Sequence, residues 1–398
     1  MFLPVQYVKL PRLAQHAKLI DIYLLMNNRK KNVAILYNTT NHVVKSRLNL
    51  IKRLQADGYT VFVFAPADST LPKLKRTKII FENVEIDQYG LNPFKQISWM
   101  INLAKLYRDH KIEASLNFTI KPNTLGNIVA AFCKVRIVNN IAGMGEYWSA
   151  NYLQKFISRA LYRVGMRCAD IVFFQNADDR QYFVENNMCN EDKAQLIPGS
   201  GVDLRRHRFS IMPSGGKRFV FVGRLLVSKG ADTFISAARA CKASHPEAEF
   251  HIAGCIEDSS RYIRSELLRD AVEDETCIYH GELDRLDVIE LLKKSHVIVL
   301  PTSYGEGVPR VLLEAAAIGR PCVTTMGVGA RDVVEDGKNG WVTRESDTVD
   351  LSRIFSYICD MKVEELRPFG EAARLKVEQY FDEEIVLNSY SAVLERLI

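Results

Sequence analysis

The sequence predicts an α/β protein with two doubly wound parallel-sheet domains that face one cleft. Short runs of Val, Ile and Phe alternate with helical patterns in both halves, and the alternation restarts after a turn-rich stretch near the middle. The chain of 398 residues, 47% of them hydrophobic, is long enough for two domains of roughly 150–200 residues with separate cores.

The first half opens with a βαβ pattern, which requires a parallel sheet. Residues 32–37 form an apolar strand run, residues 43–56 place apolar side chains at helical spacing, and residues 59–65 form the next strand. We assign residues 26–200 to the first domain. Residues 1–25 are interpreted as an N-terminal extension, with an upstream start-site artefact favoured over a basic amphipathic arm.

The second half repeats this pattern after a linker at residues 201–216. The most turn-rich stretch of the chain, residues 197–201 followed by residues 213–216, predicts this linker. The strand runs of the second half share a Gly, Pro or Thr at the carboxyl end and cover residues 218–223, 249–254, 296–301 and 321–325. Ligands of open parallel sheets bind beyond such strand ends. We assign residues 217–375 to the second domain and expect a helix within residues 376–398 to cross back to the first.

Charge is distributed unevenly along the chain. Residues 1–200 contain 27 Lys and Arg against 15 Asp and Glu, a net of +12, whereas the remainder contains 26 against 32, a net of −6. This asymmetry predicts that the first half approaches an anionic surface or ligand.

Several functional classes lack their sequence signatures. The eight cysteines include no CxxC pair, which leaves zinc and redox motifs unsupported. The apolar patches near the N-terminus are interrupted by charges, so neither a signal peptide nor a membrane span is predicted, and we expect a soluble, cytoplasmic protein. Helix-turn-helix, RRM and zinc-finger signatures are lacking, which argues against nucleic-acid binding.

The strongest constellation of candidate site residues spans residues 301–314. A strand ends at its start, a Gly-flanked loop carries Glu306, and Pro309 stands where a helix takes its first residue. The backbone N–H groups of Gly307 and Val308 would then point outward at a helix N-terminus, which is a favourable binding site for a phosphate.

Glu314 follows just over one turn into the predicted helix, where it can reach a ribose diol. The alternative is that Glu314 is a solvated helix residue and Glu306 an ordinary loop carboxylate. The coincidence of two carboxylates, a helix start and a preceding apolar strand favours a binding site.

A second constellation follows the first strand of the second domain. Arg224 and Lys229 lie five residues apart in a loop bounded by Gly223 and Gly230. A planar guanidinium and a compact ammonium together suit a diphosphate, although single surface cations are common. No G-x-G-x-x-G fingerprint and no Walker A motif is present.

These two constellations together resemble the donor-site pair of the retaining family 4 glycosyltransferases, which have the GT-B fold of two Rossmann-like domains. The similar motifs are Gly223-Arg-Leu-x-x-x-Lys229-Gly, Glu306-x7-Glu314, Gly199-x-Gly-Val-Asp203 and the stretch 329–340. The resemblance extends to bacterial enzymes of O-antigen, lipopolysaccharide, capsule and exopolysaccharide assembly through Thr119-Ile-Lys-Pro-Asn123 and Val172-Phe-Phe-Gln-Asn176.

The resemblance implies a role for each matching residue. Arg224 and Lys229 would hold the donor diphosphate and stabilise the leaving nucleotide, Glu306 would contact the donor sugar, and Glu314 would bind the ribose. The donor-binding set comprises Gly223, Arg224, Lys229, Glu306, Gly307, Val308, Pro309 and Glu314, with Arg224, Lys229 and Glu306 as the catalytic group. Asn38, Thr39 and Lys121 are candidates on the acceptor side, which is the first domain.

The same resemblance implies a nucleotide-diphosphate sugar as donor, and uridine is favoured as the nucleoside because it is usual in the family. It also implies a glycan acceptor carried on a polyprenyl diphosphate. No Asp-x-Asp occurs in the chain, which fits an enzyme that needs no metal or other cofactor. The stretch where some family members carry a first-domain His reads Leu116-Asn-Phe118, so no His is assigned.

A basic amphipathic helix is predicted in the first domain. Lys155, Arg159, Arg163 and Arg167 recur every four residues beside apolar positions. Such a helix can lie on an anionic membrane, here the cytoplasmic face of the inner membrane, or it can be an ordinary solvated face. A sugar-nucleotide 2-epimerase of the same fold and a non-catalytic sugar-nucleotide-binding protein remain alternatives to the transferase.

Overall fold

Two parallel sheets organise the computed structural model, which describes residues 31–86, 92–145 and 152–398. Each sheet is covered by helices on both faces, so the predicted fold class is confirmed. The predicted extension at residues 1–25 lies outside the described residues.

The first lobe contains a seven-stranded sheet. Its strands are β1 (Asn32–Leu36), β2 (Thr60–Ala65), β3 (Ile80–Asn83), β4 (Ala114–Phe118), β5 (Arg136–Ile141), β6 (Ile171–Phe174) and β7 (Ala194–Leu196). They lie in the order β3-β2-β1-β4-β5-β6-β7 and every pairing is parallel. The helices are α1 (Thr40–Ser46), α2 (Leu48–Ala56), α3 (Leu71–Lys75), α4 (Pro93–Asp109), α5 (Asn127–Phe132), α6 (Tyr152–Arg167) and α7 (Ala177–Glu185), with a π-helical turn at Pro122–Gly126.

The second lobe contains a six-stranded sheet. Its strands are β8 (Arg218–Val222), β9 (Glu249–Ala253), β10 (Ile278–Tyr279), β11 (Val297–Leu300), β12 (Cys322–Thr325) and β13 (Gly340–Thr343). They lie in the order β10-β9-β8-β11-β12-β13, again with parallel pairing. The helices are α8 (Ala231–Lys242), α9 (Ser265–Glu273), α10 (Arg285–Lys293), α11 (Arg310–Ile318), α12 (Ala330–Val333), α13 (Thr348–Asp360), α14 (Val363–Tyr380) and α15 (Glu383–Leu397).

The last helix, α15, packs on the lobe in which the chain began. Its residues Val386, Tyr390 and Leu394 are buried in the same apolar cluster as β1 residues Val33 and Ile35. The two lobes are therefore joined by the linker and by the passage from α14 to α15.

The linker at residues 201–216 contains neither a helix nor a strand and lies against the second lobe. Val202 and Met212 are buried in the second-lobe core. The fully buried Arg320 donates hydrogen bonds to the carbonyl oxygens of Ser210 (2.8 Å) and Ile211 (3.0 Å). Because a buried guanidinium needs acceptors for its N–H groups, Arg320 fixes the path of the linker.

The helix predicted for residues 43–56 is two helices, α1 and α2, separated at Arg47. This cation points inward: only 3% of Arg47 is exposed, and its guanidinium lies 4.3 Å from the ring centroid of Phe118 and donates to Ser200 Oγ. The amphipathic pattern predicted the helical content correctly, but it could not show that a cation turns toward the protein interior.

No helix in the described ranges is both long and apolar enough to cross a bilayer.

Candidate active site

The cleft lies where loops at the carboxyl ends of both sheets meet. Gly145, after β5, donates its backbone N–H to Gly305 O, after β11, at 2.8 Å. Asn176, after β6, lies beside the same second-lobe loop. The carboxyl ends of parallel strands in both lobes thus border one interdomain space, as expected for ligand sites in this class of fold.

Lys229 and Glu306 form the central ion pair of the cleft. Lys229 ends a 3₁₀ turn after β8 and is followed by Gly230 in the left-handed conformation, with φ of 74°. Its Nζ lies 2.9 Å from Glu306 Oε1, and the two side chains are only 17% and 15% exposed. The structure therefore brings together the two strand ends that carried the candidate residues.

Arg224 joins this pair through Tyr304. The guanidinium carbon of Arg224 and Nζ of Lys229 each lie 5.9 Å from the Tyr304 ring centroid. An aromatic face attracts cations, so Tyr304 helps to hold both side chains at the mouth of the site. Sequence reasoning missed Tyr304, although its position two residues before Glu306 was visible.

The start of α11, to which the sequence analysis assigned the amides of Gly307 and Val308, is buried between the lobes. Gly307, Val308 and Pro309 are all buried. A Cβ on Gly143 would come within 2.4 Å of Gly307 N, and one on Gly199 would come within 2.7 Å of Val308 Cβ. First-lobe glycines cover the start of α11 because they lack the side chains that would prevent this approach.

Helix α11 begins one residue later than predicted, because Pro309 is the N-cap and Arg310 the first helical residue. Arg310 Nη2 donates to Glu314 Oε1 at 2.9 Å, and His207 Nε2 lies 3.9 Å from the same oxygen. Glu314 is only 13% exposed, so it is a partnered carboxylate and not a solvated helix residue.

The environment of Glu314 is a polar cavity between the lobes. First-lobe residues Lys45 and Asn49 face second-lobe residues Arg285 and Arg310 across it. The two arginines and the carboxylate that border this cavity have the chemistry to bind hydroxyl and phosphate groups.

His42 is a cleft residue that sequence reasoning missed. It lies in the first turn of α1, where its backbone N–H donates to the capping Thr39 Oγ1 at 3.1 Å. The ring of His42 is in contact with solvent, but the walls of the cleft remove part of its hydration. This desolvation and the positive charges of Arg224, Lys45 and Arg310 lower the pKa of His42 to about 4. His42 is therefore neutral at pH 7 and faces cations of the second lobe.

The acceptor-side candidates lie at the carboxyl ends of two neighbouring strands. Asn38 and Thr39 follow β1, and Thr39 caps α1. Lys121 follows β4 and precedes the π-helical turn, two residues after Thr119 with its φ of 72°. All three lie at the cleft edge of the first sheet.

The motif at residues 172–176 ends at the cleft. Asn176 Nδ2 donates to the backbone oxygens of Glu306 (3.3 Å) and Gly307 (3.4 Å), while its side-chain oxygen caps α7 by accepting from Asp179 N. Asn176 thus anchors the loop that carries Glu306. The motif was visible in the sequence, but this inter-lobe contact was not.

Comparisons with known proteins agree with this architecture. A family profile described as "Glycosyl transferase 4-like" matches residues 32–176, and one described as "Glycosyl transferases group 1" matches residues 205–376. The first match covers most of the first lobe, and the second includes Arg224, Lys229, Glu306 and Glu314.

Two relatives act on lipid-linked saccharides, according to their names. The N,N'-diacetylbacillosaminyl-diphospho-undecaprenol alpha-1,3-N-acetylgalactosaminyltransferase of Campylobacter jejuni is 26% identical over 88% of this chain and 95% of its own length. The UDP-Gal:alpha-D-GlcNAc-diphosphoundecaprenol alpha-1,3-galactosyltransferase of Escherichia coli is 24% identical over 69% of this chain and 73% of its own. Anabaena HepE, crystallised with UDP and glucose, is 17% identical with a TM-score of 0.74, covering 92% of this chain and 100% of its own.

Proposed function

Since the chain belongs to the glycosyltransferases with the two-lobed GT-B fold, we propose that it moves a sugar, with retention of anomeric configuration, from a UDP-sugar to a saccharide on a polyprenyl diphosphate. The observation that carries this proposal is the meeting of Arg224, Lys229 and Glu306 at the carboxyl ends of β8 and β11. The names of the relatives support the lipid-linked acceptor, and the UDP bound by HepE supports the donor.

The proposed reaction depends on stabilising the leaving nucleotide. Arg224 and Lys229 place two positive charges where the diphosphate gains negative charge as the bond to the sugar breaks. The diphosphate would compete with Glu306 for Lys229, so that Glu306 becomes available to hydroxyl groups of the donor sugar. These two cations take the role that a divalent metal has in other transferases, and no covalent nucleophile is assigned.

The first lobe would supply the acceptor. Neutral His42 can form a hydrogen bond with a sugar hydroxyl from the side of the cleft opposite Arg224. Asn38, Thr39 and Lys121 lie at the same sheet edge, where they can contact the acceptor saccharide or its diphosphate.

A transfer assay tests the proposal. Purified protein is incubated with UDP-, GDP- and ADP-sugars and a polyprenyl-diphosphate saccharide, with and without EDTA. We expect one UDP-sugar to yield a product one sugar longer, with an α linkage by NMR when the donor is α, in both conditions. A β linkage would exclude retention, and a loss of activity in EDTA that Mg²⁺ or Mn²⁺ restores would exclude the metal-independent mechanism. Conversion of the donor to its C2 epimer without acceptor would favour the epimerase.

We further propose that the enzyme reaches its lipid-linked acceptor by binding the membrane surface peripherally through the first lobe. Helices α4, α5 and α6 lie side by side and expose an apolar helix surface: Phe94, Ile97, Ile101, Phe132, Phe156, Ile157, Leu161 and Val164. Exposed apolar residues in such number mark an interaction site, and the excess positive charge of this half favours anionic lipid.

The basic stripe of α6 contributes less than the sequence suggested. Arg159 donates to Tyr182 Oη, and Arg163 donates to the backbone oxygens of Asn186 and Asn187. These contacts hold the two guanidinium groups against the protein. The apolar helix surface, and not the stripe alone, is therefore the main element of the proposed membrane contact.

Sedimentation with anionic vesicles at about 0.1 M salt, where charge attraction still operates, tests this contact. Wild-type protein should pellet with the vesicles, and Phe156→Asp should weaken binding because it places a charge in the apolar surface. Leu375→Asp is the matched control, since Leu375 is a similarly exposed residue (65%) on α14 of the second lobe. Equal binding of both variants would contradict the proposed surface.

A further inference from the structure

Two cysteines and a histidine that are distant in the sequence meet on the second lobe. Cys241 lies in the last turn of α8, His245 follows three residues after that helix ends, and Cys359 lies in the last turn of α13. One ligand atom of each residue lies within 4.8 Å of the others. The cluster escaped sequence analysis because it contains no CxxC pair and its cysteines are separated by more than a hundred residues.

The donor atoms already lie close to the geometry of a metal site. Cys241 Sγ and His245 Nδ1 are 3.9 Å apart. Ligand atoms of a tetrahedral zinc ion, with Zn–S near 2.3 Å and Zn–N near 2.0 Å, are about 3.5–4 Å apart. Cys241 is buried, whereas His245 and Cys359 are half-buried, so a cation can reach the cluster from one side.

The orientation of His245 suits a metal ligand. Its Nε2 lies 3.2 Å from Asp360 Oδ1. When Nε2 carries the proton and donates it to this carboxylate, the lone pair of Nδ1 points toward the cysteines. A metal-ligating histidine almost always has such a partner for its other nitrogen. Ser244 Oγ, 3.0 Å from Nδ1, would turn away when a cation takes its place.

The surroundings favour positive charge. Helices α8 and α13 both end at the cluster, and the carboxyl end of a helix carries partial negative charge. Asp360 and Glu247 place two carboxylates near the cluster, and Lys217 places an ammonium group there. Two sulfur ligands and an imidazole select zinc over magnesium or calcium.

We propose that Cys241, His245 and Cys359 bind a thiophilic divalent cation such as zinc, with water as the fourth ligand, and that the cation joins the ends of α8 and α13. The thiol protons are released to solvent on binding. Helix α8, with 12 residues, spans roughly 18 Å at 1.5 Å per residue, and Lys229 precedes its other end. The site is therefore separate from donor binding.

Titration of the reduced, chelator-treated protein with Co²⁺ tests this proposal. We expect a thiolate-to-cobalt absorption band and tetrahedral visible bands that saturate at about one cobalt per chain, since three ligands and a water form one tetrahedral site. Zinc should displace the cobalt and raise the melting temperature. Asp360→Asn should weaken affinity by about 10–100-fold, as loss of a partner to a ligating histidine does.

Cys241→Ser, Cys359→Ser and His245→Gln should each remove the cobalt bands, while Cys133→Ser, a half-buried cysteine of the first lobe, should keep them. His245→Gln and Asp360→Asn change side chains outside the buried core, so their folding can be checked by circular dichroism. Absence of the bands in wild type, their persistence in the cluster variants, or a Cys241–Cys359 disulfide in protein that binds no metal when reduced would overturn the proposal. UDP binding should be unchanged in all these variants.

Discussion

Lys229 shows how a single charged side chain depends on its neighbours in the cleft. Burial of an isolated ammonium group is unfavourable, and Glu306 at 2.9 Å compensates for it before any ligand arrives. The ring of Tyr304 lies near the same ammonium group, with its centroid 5.9 Å from Nζ. A diphosphate that replaces Glu306 would therefore meet a cation that is already positioned, with little conformational cost.

Lys229→Ala should remove most of the thermal stabilisation that UDP gives the wild-type protein. Ligand at about a hundred times its Kd adds about 2.7 kcal/mol of stability, and loss of one diphosphate contact lowers that affinity. Lys338→Ala is the matched control, because Lys338 pairs with Glu335 at 2.8 Å on the exposed surface of the same lobe. Equal UDP-induced shifts in both variants would move the donor site elsewhere.

His296 is a second residue whose environment determines its chemistry. The ring is fully buried; Nδ1 accepts from Arg218 N (3.0 Å), and Nε2 donates to Pro213 O (3.0 Å). Only a neutral imidazole can form both bonds. Burial lowers the pKa of His296 from 6.5 to about 4, and the positive charge of Lys217 is the second largest contribution to this shift.

Stability should therefore fall on acidification between pH 6.5 and pH 4. In this window the unfolded chain binds a proton that folded His296 does not, and the accumulated loss approaches about 3 kcal/mol near pH 4. Urea unfolding at several pH values measures the slope. His296→Gln, which retains a donor and an acceptor but does not titrate, should make the slope shallower. The same slope in variant and wild type would exclude His296 as its source.

At the scale of elements, the loop after β5 determines how closely the lobes approach. Gly143 has a φ of 100° and lies against Gly305 and Gly307. Nearby, Arg331 of α12 donates to both carboxylate oxygens of Asp178 on α7, at 2.5 and 2.6 Å. A backbone contact thus holds the Glu306 loop against the first lobe, and an ion pair holds α12 against the same lobe.

Gly143→Ala should lower the transfer rate at least tenfold while UDP binding persists. An added Cβ would lie 2.4 Å from Gly305 O and Gly307 N, and a displacement of about 1 Å near reacting groups can cost about 10²-fold. Gly58→Ala is the matched control: its φ is 93°, but no atom lies within 4 Å of the added Cβ. We expect Gly58→Ala to lose stability only. Equal rates for the two variants would show that the loop contact does not position the site.

At the scale of the whole molecule, the two chain crossings between the lobes lie side by side. Val202 N donates to Phe381 O (2.9 Å), and Glu383 N donates to Val202 O (3.1 Å). A Cβ on Gly201 would come within 2.5 Å of Glu383 Cα. Paired crossings of this kind form a natural hinge, because only a few residues need to change their backbone angles when the lobes move.

Leu394→Ala should destabilise the first lobe by about 2–5 kcal/mol, the usual range for a buried leucine, although residue 394 follows the entire second lobe in sequence. Leu394 is fully buried in the first-lobe cluster that includes Val33 and Ile35. Ile385→Ala on the same helix, where Ile385 is 39% exposed, should change stability much less. Chemical denaturation measures both, and similar losses would contradict the packing of α15 on the first lobe.

The strands were the part of the fold that the sequence predicted best. The predicted runs at residues 32–37, 218–223 and 321–325 match β1, β8 and β12 to within one residue. A strand buried on both faces must be apolar along its whole length, so a short stretch of sequence is enough to identify it. For the same local reason, Arg224, Lys229 and Glu306 could be found, since each lies in the loop that follows such a strand.

Tertiary structure alone decided which strand ends face each other and what covers them. The burial of Gly307 beneath Gly143, the presence of His42 opposite Arg224, and the meeting of Cys241 with Cys359 all join segments that are distant in the chain. Periodicity and motif spacing report on neighbours within one element. Contacts between elements depend on how two complete sheets and their helices pack, and no short stretch of sequence contains that information.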